Sequence, residues 1–192
     1  MKNLSEQLLQ NLIEQTRSHL NYAISLQDVN EDALNHRLLQ DSWSILECIE
    51  HLNLYGNYYL PEIEKQLTTF KAISDKKFKS GWLGNYFAES MLPKEQLNKM
   101  KTFKSMNPIH SQLSKQVLNT FIEQQQKMLQ LLSLAHDKNL NNIRIPISIN
   151  KWIKIKLGDT FRFVIYHNER HIQQAKRLLE QTNSKTERLL VN

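Results

Sequence analysis

Four glycines and four prolines in 192 residues fall far below the usual shares of about 7% and 5%, so this length, which fits one domain with a real core, is expected to fold as long helices with few connections. The formal net charge of +6, from 25 basic and 19 acidic residues, favours solubility and anionic partners, but it is spread along the chain without a DNA- or RNA-binding motif, so nucleic acid is not expected as a partner. One cysteine, Cys48, excludes an intramolecular disulfide and fits a reducing, cytoplasmic setting, and no run of about 18 apolar residues offers a membrane span.

The stretch from Met1 to Leu20 mixes its leucines with Lys, Glu, Gln and Arg and lacks the apolar core of a signal peptide. Leu8, Leu9, Leu12, Ile13, Leu20 and Ile24 recur at helical spacing. They predict an amphipathic helix from Leu4 to about Leu26, its apolar stripe facing a bundle. Gln27 to Asp41 reads as a polar connector with room for a short helical turn. A second helix opens at Trp43-Ser44. Ser44 and Glu47 form a capping-box pattern, in which the hydroxyl takes an orphan amide and the carboxylate reaches back. Ile45, Ile49, Leu52, Tyr55 and Tyr59 continue the stripe, and Ile63 and Leu67 carry it past Pro61 to about Phe70. The proline therefore predicts a kink and not a stop.

Lys71 to Asn107 reads as irregular, with Gly81, Gly84 and Pro93 inside it and Pro108 at its edge. Its apolar residues (Trp82, Leu83, Tyr86, Phe87, Met91, Leu92) predict a loop that packs over something. The lysines from Lys71 to Lys79 read as a solvated surface. Leu113, Val117, Phe121, Met128, Leu131 and Leu132 mark a third helix from Leu113 to about His136. Ile143 to Ile149 and Trp152 to Lys156 alternate apolar and polar residues, which predicts a short hairpin or an extended connector. A fourth helix begins near Gly158-Asp159-Thr160, with Asp159 suited to its positive end, and runs to about Thr182. The bundle is expected to occupy 1–182 of a single domain over 1–192, with a fraying tail at 183–192.

His167 and His171 lie four residues apart on that last helix, so both imidazoles leave one face. Such a pair can grip one metal ion with two neutral nitrogens, and His51, on the apolar stripe of the second helix, can complete the set. Three imidazoles would leave the ion an open position, able to hold water or to bind and deprotonate a thiol. Zinc suits these ligands, and imidazole also suits nickel, iron and manganese. Glu47 and Glu50 are candidates to orient a ligand ring from behind, and Tyr55, one turn after His51, to point into the cavity or to pack. Cys48 reads as a small buried thiol before it reads as a ligand. His19, His36, His110 and His136 lack a ligand-spaced partner and read as surface or capping residues.

Trp43-Ser44 followed by Glu50-His51-Leu52, and later Gly158-Asp159, His167-Asn168 and His171-Ile172-Gln173-Gln174, resembles the DinB-like superfamily with its YfiT-type members, over nearly the whole chain. The resemblance implies an all-α four-helix bundle of that topology, with a long crossover connection and a divalent metal, often zinc or nickel, at one end. It places His51, His167 and His171 at the three ligand positions. It also implies kinship with transferases and isomerases that use low-molecular-weight thiols; related isomerases replace one ligand histidine by glutamate, and histidine at all three places here favours the bacillithiol-type branch. Lys156 departs from the pattern, standing where many relatives place a helix-capping threonine.

The leading expectation is thus a cytoplasmic, metal-dependent S-transferase, which joins a low-molecular-weight thiol to a small electrophilic substrate. The thiolate is the nucleophile, and free thiols near neutral pH are mostly protonated. The alternatives are a metal-dependent hydrolase, or a non-catalytic metal-stabilised bundle that binds a ligand or partner. A homodimer formed through a helix face suits the architecture.

Overall fold

The computed structural model describes residues 4–70, 73–74, 77–93 and 102–190, with backbone alone at 183 and 185–190. The chain is mostly helical. In order it forms α1 (Leu4–Ser25), α2 (Glu31–Asn35), α3 (Ile45–Thr69), α4 (Trp82–Ser90), α5 (Gln116–Leu134), β1 (Arg144–Ile147), β2 (Asn150–Lys156) and α6 (Leu157–Leu190). Long helices α1 and α3 each pack on both α5 and α6. Helix α6 continues well past the expected end at Thr182. Of the lysine-rich stretch, Lys71 and Lys76 lie outside the described residues, as do 94–101 of the segment read as irregular.

The seam of α1 is turned from the one its aliphatic residues suggest. Ser5, Leu9, Leu12, Thr16, His19 and Ala23 are buried at alternating spacings of four and three, whereas Ile24 is 46% exposed. Thr16 is tolerated there because its hydroxyl donates to the Leu12 carbonyl at 2.7 Å. The start of α3 follows the sequence pattern. The Ser44 amide donates to Glu47 Oε2 at 2.7 Å, and the Glu47 amide donates to Ser44 Oγ at 3.2 Å, satisfying two donors that a helix end otherwise strands. Helix α3 runs unbroken through Pro61.

Helix α4 is the element that the sequence reading took for loop. Gly84 within it lowers helix propensity and Gly81 gives its N-cap no side chain, and a contact remote in sequence offsets this. The buried Asp159 carboxylate accepts from the Gly81 amide at 2.8 Å and from the Ser80 hydroxyl, capping α4 from outside. At Gly84 the Asp159 side chain occupies the place that a Cβ would fill. Arg162 completes the network, donating to Asn85 Oδ1 and to Ser80 Oγ at 2.9 Å each. Asp159 therefore serves α4 as well as its own helix.

The expected hairpin is present. β1 and β2 pair antiparallel, with Ile145 opposite Ile155 and an irregularity between Pro146 and Ile147. β2 leads directly into α6, where the Thr160 hydroxyl donates back to the Lys156 carbonyl at 3.0 Å. Buried apolar residues form two clusters. One holds Tyr59, Ile63, Leu67, Met128, Ile143 and Phe161. The other holds Ala23, Leu34, Ile45, Cys48, Phe121 and Ile172. On α6 the histidines His167 and His171 fall between the two clusters, and His51 lies near the same boundary on α3.

Candidate metal centre

Helix geometry brings the three rings together. His51 leaves α3, and His167 and His171 leave adjacent turns of α6, the two helices being packed against each other. All three are buried, and one nitrogen from each lies within 4.8 Å of the others. Ring centroids are 4.9 Å apart for His51–His167, 4.6 Å for His51–His171 and 4.8 Å for His167–His171. The Nε2 atoms of His51 and His167 approach to 3.1 Å. Two nitrogens on one tetrahedral zinc, at about 2.0–2.1 Å from it, stand about 3.3 Å apart, so the His51–His167 pair is at the spacing of a shared cation, with the three nitrogens together spread within 4.8 Å.

The outer nitrogens settle which atoms face inward. His51 Nδ1 donates to the Met106 carbonyl at 2.6 Å, and a carbonyl only accepts, so the Nε2 lone pair of the neutral ring is free. His171 Nδ1 donates to Gln174 Oε1 at 3.0 Å, with the same consequence. His167 Nδ1 is buried without a partner among the described residues; its ring is held by Tyr55, edge-on at 4.5 Å, and by Phe163, stacked at 5.9 Å. The donor set is therefore three neutral imidazoles. Burial, above all, pushes His51 down to about 4 and His171 to about 3. It drives His167 well below its ordinary value, with the other two rings and Arg170 adding to the effect. Neutral imidazole is the form that binds metals.

The rings open on a cavity of about 1240 Å³, lined around them by Trp43, Tyr55, Tyr59, Phe163, Arg170 and Gln174. Trp43, at the entry to α3, lies 4.7 Å from His51 and 5.5 Å from His171 between ring centroids. Its indole donates to Asn107 Oδ1 at 3.1 Å. Helix α4 supplies Tyr86, Phe87 and Ser90 to the lining, and the hairpin turn supplies Ser148 and Ile149.

The supporting residues differ from those expected. No hydrogen bond joins Glu47 or Glu50 to the three rings. Glu47 is spent on Arg37, which donates to Oε1 at 2.6 Å and to Oε2 at 3.0 Å, and on the helix cap. Glu50 accepts from Asn53 Nδ2 at 3.2 Å. The groups that orient the rings are the Met106 carbonyl and Gln174. A backbone acceptor leaves no mark in a sequence, whereas Gln174 stands three residues after His171, on the same helix face, and that spacing was readable. Tyr55 lines the cavity. Among the other histidines, His36 and His110 are exposed and His136 is 56% exposed at its side chain. His19 departs from its reading: it is 1% exposed, and its Nε2 meets Glu169 Oε2 at 2.7 Å. Cys48 is fully buried in the second apolar cluster and does not line the cavity.

The family model of the DinB superfamily matches residues 12–175, from the third turn of α1 to past the histidine pair on α6. The chain belongs to the DinB superfamily. The match spans all three histidines and the elements that present them. Neither the curated proteins nor the solved structures compared with the chain gave a match. For this DinB-superfamily member, the buried cluster of His51, His167 and His171 is one that can hold a metal ion. No helix is long and apolar enough to cross a membrane among the described residues.

Proposed function

We propose that this DinB-superfamily protein is a divalent-metal-dependent S-transferase that joins a low-molecular-weight thiol to a small electrophile, with His51, His167 and His171 as the ligands of zinc or nickel. The same reading takes α1, α3, α5 and α6 as the four helices of a DinB-type bundle, with α4 and the hairpin in its long connections. The observation that carries the proposal is the set of three buried imidazoles, one nitrogen of each within 4.8 Å of the others, at the wall of a cavity of about 1240 Å³, in a chain whose one thiol is sealed elsewhere. Burial first, and the Glu47 carboxylate next, push the Cys48 thiol up, which makes it inert. The nucleophile must then come from a second molecule.

When bound, a divalent cation supplies the Lewis acidity that keeps such a thiol ionised near neutral pH. The protein's own residues prepare the place. Met106 and Gln174 hold two rings in the required tautomer, and Trp43 and Tyr55 pack against the rings. In the reaction the thiol proton passes to solvent, an S–C bond forms at the electrophilic carbon, and any leaving group departs with its bonding pair. Hydrolysis has less support. The only carboxylate lining the cavity among the described residues is Asp41, which is exposed, and a base close to a nucleophilic water is what hydrolysis needs.

The test is conjugation by untagged, zinc-loaded protein across a panel of small thiols and electrophiles, with product detected as the S–C adduct. The proposal expects turnover that requires both metal and thiol. Ester or amide cleavage without thiol would favour the hydrolase reading. One bound metal with neither activity would favour a metal-stabilised binding bundle.

A further inference from the structure

The cavity has a second feature that the metal ligands do not explain. From the histidines towards α4 its wall is a continuous run of aromatic rings. Tyr55 sits edge-on to His167 with centroids 4.5 Å apart and stacks on Tyr59 at 6.3 Å with 12° between planes. Tyr59 meets Phe163 at 5.6 Å, and Phe163 meets Phe87 at 6.4 Å. All four line the cavity. Phe163 and Phe87 come from different helices, α6 and α4, so the wall is assembled by the tertiary fold.

The two tyrosines of this wall differ. Tyr59 is 1% exposed and its hydroxyl is engaged, accepting from the Ser148 amide at 3.2 Å. The Tyr55 hydroxyl has no hydrogen-bond partner among the described residues, although its ring touches His51 and His167. Tyr55 is half-buried and its hydroxyl is not enclosed by protein, so it opens to the cavity. A hydroxyl so placed, beside the candidate metal centre, is a donor left for a ligand.

We propose that the wall of Tyr55, Tyr59, Phe163 and Phe87 is the subsite for the electrophile, that it takes a planar aromatic compound, and that the Tyr55 hydroxyl donates a hydrogen bond to an oxygen acceptor carried by that compound. This rests on the S-transferase reading for the word electrophile; the subsite itself rests on the geometry of the wall. Ring faces and edges favour a planar π-system over a saturated ring of equal size. The Tyr55 hydroxyl, the donor of this wall nearest the histidines, selects for an acceptor such as a nitro or carbonyl oxygen near the reacting carbon. There the hydrogen bond positions the substrate and steadies negative charge that develops on the acceptor during attack.

The experiment is calorimetric titration of the zinc-loaded full chain, without thiol, with three probes: 4-nitrotoluene, toluene and methylcyclohexane. Toluene is expected to bind more tightly than methylcyclohexane by about fivefold, and 4-nitrotoluene more tightly than toluene by about tenfold. Tyr55→Phe removes only the hydroxyl; it should abolish the preference for 4-nitrotoluene over toluene while leaving toluene affinity and zinc stoichiometry unchanged. Phe163→Leu should weaken both aromatic probes alike. Equal affinity for toluene and methylcyclohexane, or a nitro preference that survives in Tyr55→Phe, overturns the inference. Selective binding of the aromatic probes by a protein that conjugates no thiol would instead sink the transferase reading and leave the subsite standing.

Discussion

Helix α6 meets buried imidazoles in two opposite ways. Its His167 and His171 face His51 with no carboxylate hydrogen-bonded to any of the three rings, two of which donate outward to a carbonyl and an amide oxygen. Between those two residues, Glu169 takes His19 of α1 at 2.7 Å. The His19 hydrogen bond first, then Gln173 and Lys176, hold the Glu169 carboxyl down at about 2 against the contrary effect of burial. Burial alone therefore does not make a histidine a site. An imidazole with an acid for a partner joins two helices, whereas imidazoles whose outer nitrogens donate to neutral acceptors keep inward lone pairs that call for a cation.

The largest expected effect tests what stands behind the triad. Glu47 is fully buried and binds Arg37, the helix cap and the His110 backbone. The His110 contact ties it to the loop whose Met106 carbonyl holds His51. Glu47→Ala should cost about 3 kcal/mol in denaturant unfolding and should also weaken zinc in a competition titration, because that loop is released. Although burial pushes the Glu47 carboxyl up, the Arg37 and Ser44 hydrogen bonds outweigh it and hold the group below its ordinary value of 4.5. A carboxylate depressed in this way contributes stability above its unfolded pKa and loses it as the pH falls through the folded one. Unfolding free energy should decline below about pH 4.5 for this reason, and the decline should be shallower in Glu47→Gln.

On the opposite side, His19→Ala should cost about 2 kcal/mol by stranding a half-buried carboxylate, with zinc content unchanged. A loss of zinc there would break the distinction between the two settings. Gly84→Ala, which forces a Cβ against Asp159, should cost about 1.5 kcal/mol and should loosen the α4 wall before it affects zinc. Cys48→Ala should cost no more than about 1 kcal/mol, and conjugation rates with an added thiol should not change.

The same contrast explains what the sequence could tell. The long helices are written in their apolar periods, and the α3 entry in Ser44 and Glu47, because such signals are local. The His167–His171 pair is local too, and the α3 stripe made His51 its partner. What could not be read depends on contacts remote in sequence. Helix α4 owes its start to a carboxylate lying 78 residues away, and His19 owes its burial to an acid 150 residues away. The ring-orienting role fell to the Met106 backbone, 55 residues from His51, and not to the nearby Glu47 or Glu50. Proximity along the chain is a poor guide to which group orients a ligand.

The central claim is that His51, His167 and His171 act together on one cation. The direct measurement is metal content by mass spectrometry of untagged protein after zinc loading and dialysis, for the wild type, His51→Ala and His171→Ala. The account predicts about one zinc per chain in the wild type and almost none in either variant, with both variants still helical by circular dichroism. A wild type that holds no zinc, or variants that keep as much as the wild type, would contradict it.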